Sequence, residues 1–252
     1  MADRSAGAPR LSENGCAREA EGLRPGALTI VVPTRNVARQ SPAWAATVRA
    51  WSAAAPAAGL VVADGGSTDA TCRIAEEQGA HVVHAPRGRG PQLAAGARVA
   101  ATPWLLFLHA DTQLQPGWAA AVAAHVADPA NRAVAGVFRL AFDDDSPAAR
   151  RTAALANGRT RRFGLPYGDQ GLLISRDLYD AVGGYPDIPL MEDVAMARKL
   201  GRRRIRMLDA TALTSADKYR RDGWWRRSAT NLTLLTLYFL GVPPDRLARL
   251  YR

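Results

Sequence analysis

Short apolar runs alternate with longer alanine-rich stretches through the first half of this chain, and that alternation limits its fold more than any other feature. The runs LTIVV (28–32), LVVA (60–63), HVVHA (81–85) and WLLFLHA (104–110) have the length of buried strands. Between them, residues 42–54, 69–78, 90–100 and 116–127 have helical length and spacing. Strands separated by helices cannot pair as tight hairpins, so the pattern predicts βαβ units and an α/β fold: a mostly parallel central sheet with helices on both faces.

The second half is less regular. It reads as a strand at 133–142, an acidic turn at Asp143-Asp144-Asp145, an Ala/Arg-rich helix and a loop over 164–171. A strand at 172–175, a helix near 176–182, a Gly183-Gly184 break and helical spacing at 191–200 follow. Residues 1–26 show no hydrophobic period and end on Pro25-Gly26, which predicts a mobile tail ahead of one domain spanning 27–252.

Composition removes several classes of function. With 48% hydrophobic and 22% charged residues the chain is neither disordered nor fibrous. Two cysteines, Cys16 and Cys72, cannot build a disulfide framework or a four-thiolate zinc site, so a reducing, cytoplasmic setting is expected. No apolar run approaches the roughly 20 residues that cross a bilayer, and no secretory signal is visible. Residues 194–252 hold 14 Lys or Arg against four Asp or Glu, which is the whole of the chain's +10. That segment is expected to meet an anion. Its arginines just before and among Trp224, Trp225 and the leucines of 232–240 fit either a helix lying peripherally on the inner face of an anionic membrane or a helix packed on the sheet.

In an open parallel sheet, ligands bind beyond the carboxyl ends of the strands. Here those positions read Pro33-Thr34-Arg35-Asn36, Asp64-Gly65-Gly66-Ser67-Thr68-Asp69 and His109-Ala110-Asp111-Thr112. Each suits turn and cap chemistry as well as ligand binding. No dinucleotide G-x-G-x-x-G or P-loop is present, since Leu93 stands where the third glycine after Gly88 and Gly90 would be. There is no G-x-S-x-G elbow, and the four histidines lack metal-binding spacing as a set.

The ordered segments VVPTRN, ADGGSTDAT, GRGPQLAAGA, LLFLHADT, YGDQGLLISRDLYDAVGGY and PLMEDVAMARKL resemble the family 2 glycosyltransferases. HADT and LPYGDQG are similar to a bacterial branch labelled as arsenosugar-biosynthesis or radical-SAM/selenodomain-associated. The resemblance runs from about Leu28 to the C-terminus. It implies a GT-A, Rossmann-like fold with a nucleotide-binding half (27–112) and an elaborated acceptor and catalytic half (113–252). It further implies an inverting, hexosyltransferase-type enzyme that moves sugar from a nucleoside diphosphate sugar to the hydroxyl of a small-molecule or lipid-linked acceptor.

By that resemblance Pro33, Thr34, Arg35, Asn36 and Asp64 hold the base and ribose, and Arg89 approaches the diphosphate. His109 and Asp111 stand at the family's Asp-x-Asp element, which binds Mn²⁺ or Mg²⁺; His109 either ligates the metal or caps the strand. Asp193 of the Glu192-Asp193 pair is the implied general base. Gly168, Asp169 and Gln170, with Glu192, line the implied sugar and acceptor pocket, while Arg221 and Trp224 occupy a degenerate diphosphate element. Two other classes compete. A nucleotidyltransferase would need a basic, Gly-rich triphosphate loop after the first strand, and a basic nucleic-acid-binding protein would leave Asp64, Asp111 and Asp193 without a role, so nucleic acid is not an expected partner.

Overall fold

The computed structural model describes residues 23–41, 44–54 and 57–251. The first half runs β1 (Leu28–Thr34), α1 (Val37–Gln40), α2 (Trp44–Ala54), β2 (Gly59–Asp64), α3 (Thr71–Glu77), β3 (His81–His84), α4 (Arg89–Val99) and β4 (Trp104–Phe107). It continues with β5 (Thr112–Leu114), α5 (Trp118–Ala127), β6 (Ala135–Phe142) and α6 (Pro147–Phe163). Then come β7 (Leu172–Ser175), α7 (Arg176–Ala181), α8 (Glu192–Leu200), β8 (Ile205–Thr214), α9 (Asp217–Asp222), α10 (Trp224–Phe239) and α11 (Pro244–Leu250). Of the expected tail, residues 1–22 lie outside the described residues, and Leu23 is buried in the core.

Eight strands form one sheet in the order β3-β2-β1-β4-β7-β6-β8-β5. The α/β architecture is the expected one, but the parallel character is confined to β3-β2-β1-β4 and to β6 with β8. Strand β7 is antiparallel to both β4 and β6, and β5 is antiparallel to β8. Alternate residues of the central strands feed two cores. Ile30, Val32, Val62 and Leu106 pack with Trp44, Trp51 and Trp118 of α2 and α5 on one face. Val31, Val61, Leu105 and Phe107 pack with Leu93, Leu178 and Met196 of α4, α7 and α8 on the other. A strand buried on both faces reads as an unbroken apolar run, which is why β1, β2 and β4 are so legible.

Local signals set the helix ends. Ser146 caps α6 by accepting from Ala149 N–H, with Pro147 in the first turn, and Gly164 closes it at φ 62°. The antiparallel step from β4 to β7 matters most for function. It pairs Phe107 with Leu172, so the turn at Gly168–Gln170 before β7 arrives beside the carboxyl end of β4. Likewise the pairings of Thr214 with Phe142 and with Thr112 bring the residues after β8 to Asp111, whose carbonyl accepts from Ser215 N–H at 3.2 Å.

Candidate active site

The loops after β1 and β2 brace one another. Asp64 is buried, and its carboxylate accepts from Gly66 N–H (2.9 Å), Ser67 N–H (2.7 Å), the Ser67 hydroxyl and the Thr34 hydroxyl (3.1 Å). Burial pushes this carboxyl up, but the hydrogen bonds from Ser67, Thr34 and Gly66 outweigh it and hold it below the ordinary value. Asn36, at φ 52°, takes Thr68 N–H on its Oδ1 (2.8 Å) and donates its own N–H to Ser67 Oγ (2.8 Å). Gln92 of α4 ties both strands by donating to the carbonyls of Thr34 (2.6 Å) and Ala63 (2.8 Å).

Two cavities meet at the end of β4. A cleft of 740 Å³ runs over Pro33, Thr34, Arg35 and Gln92 toward Lys218 and Arg221, a volume in the usual range for a bound small molecule. A second cavity of 110 Å³ is walled by Tyr167, Gly168, Asp169, Asp193 and Tyr219, and by Arg227, Asn231 and Leu234 of α10. Arg89, His109, Asp111 and Lys218 line both, so they form the neck between them.

Charge at the neck is tightly arranged. Lys218 Nζ donates to Asp111 Oδ2 at 2.9 Å. Burial raises the Asp111 carboxyl, but the charge and hydrogen bond of Lys218 overrule it and leave it below the ordinary range. His109 is pushed well down, first by burial and then by the positive charge of Arg89. Its imidazole is therefore neutral, and a Cβ on Gly168 would stand 2.2 Å from its Nε2, so a larger residue there would displace the ring. Arg89 NH1 lies 4.0 Å from Glu192 Oε1, a buried carboxylate whose two oxygens have no hydrogen-bond partner. Burial and the adjacent Asp193 raise Glu192 well above the ordinary value, against the pull of Arg89.

The acceptor-side carboxylates come from two loops. Met191, at φ 66°, shares with Asn36 the distinction of positive φ without being glycine among the described residues, and it sets the first turn of α8. Strained backbone of this kind clusters at functional sites. From that turn Asp193 Oδ2 accepts Gly168 N–H at 2.9 Å. Beside it, Asp169 keeps one buried oxygen without a partner, and burial with Asp193 nearby lifts its carboxyl to about 6.

Of the expected site residues, Pro33, Thr34, Arg35, Arg89, His109, Asp111, Gly168, Asp169, Asp193 and Arg221 line these cavities. Asn36 and Asp64 brace the loops beneath the cleft, and Glu192 lies behind Arg89. Two expectations are corrected. Gln170 is fully buried behind the pocket, where it accepts from the Thr160 hydroxyl (2.6 Å) and donates to the Phe138 carbonyl (3.1 Å). Trp224 stacks on Tyr219 at 4.7 Å and meets Phe142 edge-on, so it supports the pocket wall without reaching the cleft. Lys218, Tyr167 and Tyr219 were not expected to line the site; a basic residue and an aromatic at 218–219 just after a strand are the signal that was present.

The glycosyl transferase family 2 model matches residues 29–185, more than half of the sequence. The chain belongs to glycosyl transferase family 2. No curated protein matches it. The transferase is similar in structure to mannosyltransferase PcManGT from Pyrobaculum calidifontis, solved with GDP-Man and Mn²⁺, at TM-score 0.60 and 19% identity over 91% of this chain and 71% of that one. It is also similar to residues 1–349 of TarS from S. aureus, at TM-score 0.52 and 18% identity over 75% of this chain, and it spans only 60% of that segment. Mannosyl-3-phosphoglycerate synthase from Rubrobacter xylanophilus gives TM-score 0.51 and 20% identity over 79% and 68% of the two chains. The transferase has the GT-A fold.

The donor set at the neck is compatible with a divalent cation. A carboxylate and a neutral imidazole, Asp111 and His109, are oxygen and nitrogen donors of the kind Mn²⁺ accepts. Among the described residues no cluster of three His, Cys, Asp or Glu is present, so further ligands would come from a bound diphosphate and water.

Proposed function

We propose that this chain is an inverting hexosyltransferase that moves a sugar from a nucleoside diphosphate sugar to an acceptor hydroxyl. The observation that carries the reading is the neck. Cationic Arg89 and Lys218, with Asp111 and His109, separate a cleft of nucleotide size from a small pocket edged by Asp193 and Asp169. In this reading the nucleotide lies in the 740 Å³ cleft, the diphosphate at the neck, and the acceptor hydroxyl beyond it.

Asp193 takes the proton as the acceptor oxygen bonds to the anomeric carbon, and the bond from that carbon to the diphosphate breaks on the opposite side. Inversion follows from that opposition. The electron pair leaves with the diphosphate, whose new charge Arg89 and Lys218 stabilise. Gly168 N–H on Oδ2 (2.9 Å) and Val194 N–H on Oδ1 (2.7 Å) fix the Asp193 carboxylate, and each oxygen keeps a second lone pair that can take the proton. Asp111 and His109 would hold Mn²⁺, or Mg²⁺ in its place, which supplies Lewis-acid neutralisation of the diphosphate when bound. We also read the chain as a member of the branch whose HADT and LPYGDQG segments it shares; those segments alone support that finer placement.

A thermal-shift panel of UDP, GDP, dTDP and CDP, with and without Mn²⁺, tests the reading. One diphosphate, present with Mn²⁺ at 100 times its dissociation constant, should stabilise the fold by about 2.7 kcal/mol, and the same concentration without the metal should stabilise it less. A flat panel in both series would overturn it.

A further inference from the structure

Helix α10 has two apolar sides, and only one of them is covered. Leu234 and Leu235 are buried against Leu190, Val194 and Leu247. On the other side Trp225 is 79%, Leu232 63%, Phe239 49% and Leu240 75% exposed. Together with Ala229 and Thr236 these residues fall within about 100° of arc at 3.6 residues per turn. The solvent face of a surface helix is normally charged, and a helix apolar all round is normally buried. This one contains no Asp or Glu from end to end.

The charges around the stripe are predominantly basic. Arg226 is exposed at its N-terminal end, and the Arg198 guanidinium lies 5.3 Å from the Phe239 ring centre at its C-terminal end. Helix α11, packed against α10, adds Arg246 and Arg249 against Asp245. Two copies of this face set against each other would bring like charges together, whereas anionic headgroups complement them. Among the described residues no helix is long and apolar enough to cross a membrane, so the geometry is that of a helix lying in the interface.

We propose that this face of α10 docks the protein on anionic bilayers. The same helix presents Arg227, Asn231 and Leu234 to the 110 Å³ pocket from its opposite side. Docking therefore holds that pocket about one helix diameter, about 10 Å, from the lipid surface. The acceptor class this favours is a hydroxyl carried at headgroup level by a lipid or lipid-linked molecule; that part rests on the transferase reading, while docking itself does not.

The test is co-sedimentation with phosphatidylcholine vesicles and with phosphatidylcholine vesicles containing phosphatidylglycerol, without nucleotide. It is run at about 0.01 M and 1 M salt, where the Debye length is about 30 Å and 3 Å. Binding to the anionic vesicles alone, lost at high salt and weakened at least tenfold or so by Trp225→Ser with Leu232→Ser, is the expected result. Leu240→Ser alone gives a milder second reading of the same face. Nucleotide thermal shifts of these variants, measured without vesicles, should match the parent chain, so failure of docking and failure of the donor site are told apart. No binding to anionic vesicles at low salt, or binding that neither variant weakens, overturns the proposal. So does a dimer in light scattering that Leu232→Ser dissolves, because the face would then join two copies.

Discussion

Asp193 and Asp169 edge one small pocket, and their surroundings divide the work between them. Asp193 is held by Gly168 N–H, whereas Asp169 has a buried oxygen with no partner and a carboxyl lifted to about 6. Asp193→Asn should lower turnover by roughly 10² to 10⁴ and leave nucleotide binding by calorimetry unchanged. Asp169→Asn should have the smaller effect; the reverse order would move the base to Asp169. At this scale the sequence identified residue types better than it identified exposure. Asp111 stands out because its segment carries polar groups where a strand ends, whereas Asp193 and Arg89 are singled out only through the family resemblance; all three line the cavities. Gln170 and Trp224 look equally chemical in sequence, but one is sealed between α6 and β6 and the other stacks behind Tyr219. Burial of a polar side chain depends on partners distant along the chain, such as Thr160 and Phe138 for Gln170, and no local pattern reports them.

Helices and strands show the same division. Strands β1, β2 and β4 were evident as continuous apolar runs, while β8 was not, because its inward residues after Leu208 are the small Ala210, Ala212 and Thr214, with charged Arg206 and Asp209 facing out. That alternation was a usable signal, though a weak one. The contact that joins the two halves of the site was not legible at all. Helix α4 begins so close to the loop before α8 that a Cβ on Gly90 would lie 2.2 Å from the Pro186 carbonyl oxygen and 2.6 Å from that of Ile188. Neither obstacle is a flexible side-chain end, so Gly90→Ala must separate the two elements. We expect a loss of about 2 to 3 kcal/mol, read as roughly 4 to 12 °C in Tm, with nucleotide affinity reduced because Arg89 moves with the helix.

For the molecule as a whole, the buried acids on the acceptor side make stability fall as pH rises. Asp169 is raised from 3.8 to about 6, and Glu192 is raised above its ordinary 4.5. In both cases the folded state binds more protons than the unfolded one, so their contribution is complete below the unfolded values and is lost as pH climbs through the folded ones. His109, held well below its ordinary 6.5, contributes in the opposite sense up to that pH, so the decline in Tm should emerge above pH 6.5, and Glu192→Gln should flatten it; an unchanged profile would remove Glu192 from the account. Lys218 gives the neck a different property, which concerns the order in which ligands arrive. Its ammonium already neutralises Asp111 at 2.9 Å, so the resting protein carries its own counter-ion and needs no other. A chelator should then leave Tm unmoved, and Mn²⁺ alone should bind weakly because it must compete with a tethered cation. Once a diphosphate offers Lys218 a second anion, the competition ends. Calorimetry should therefore find Mn²⁺ and nucleoside diphosphate binding cooperatively, and Lys218→Met should erase that cooperativity by admitting the metal first.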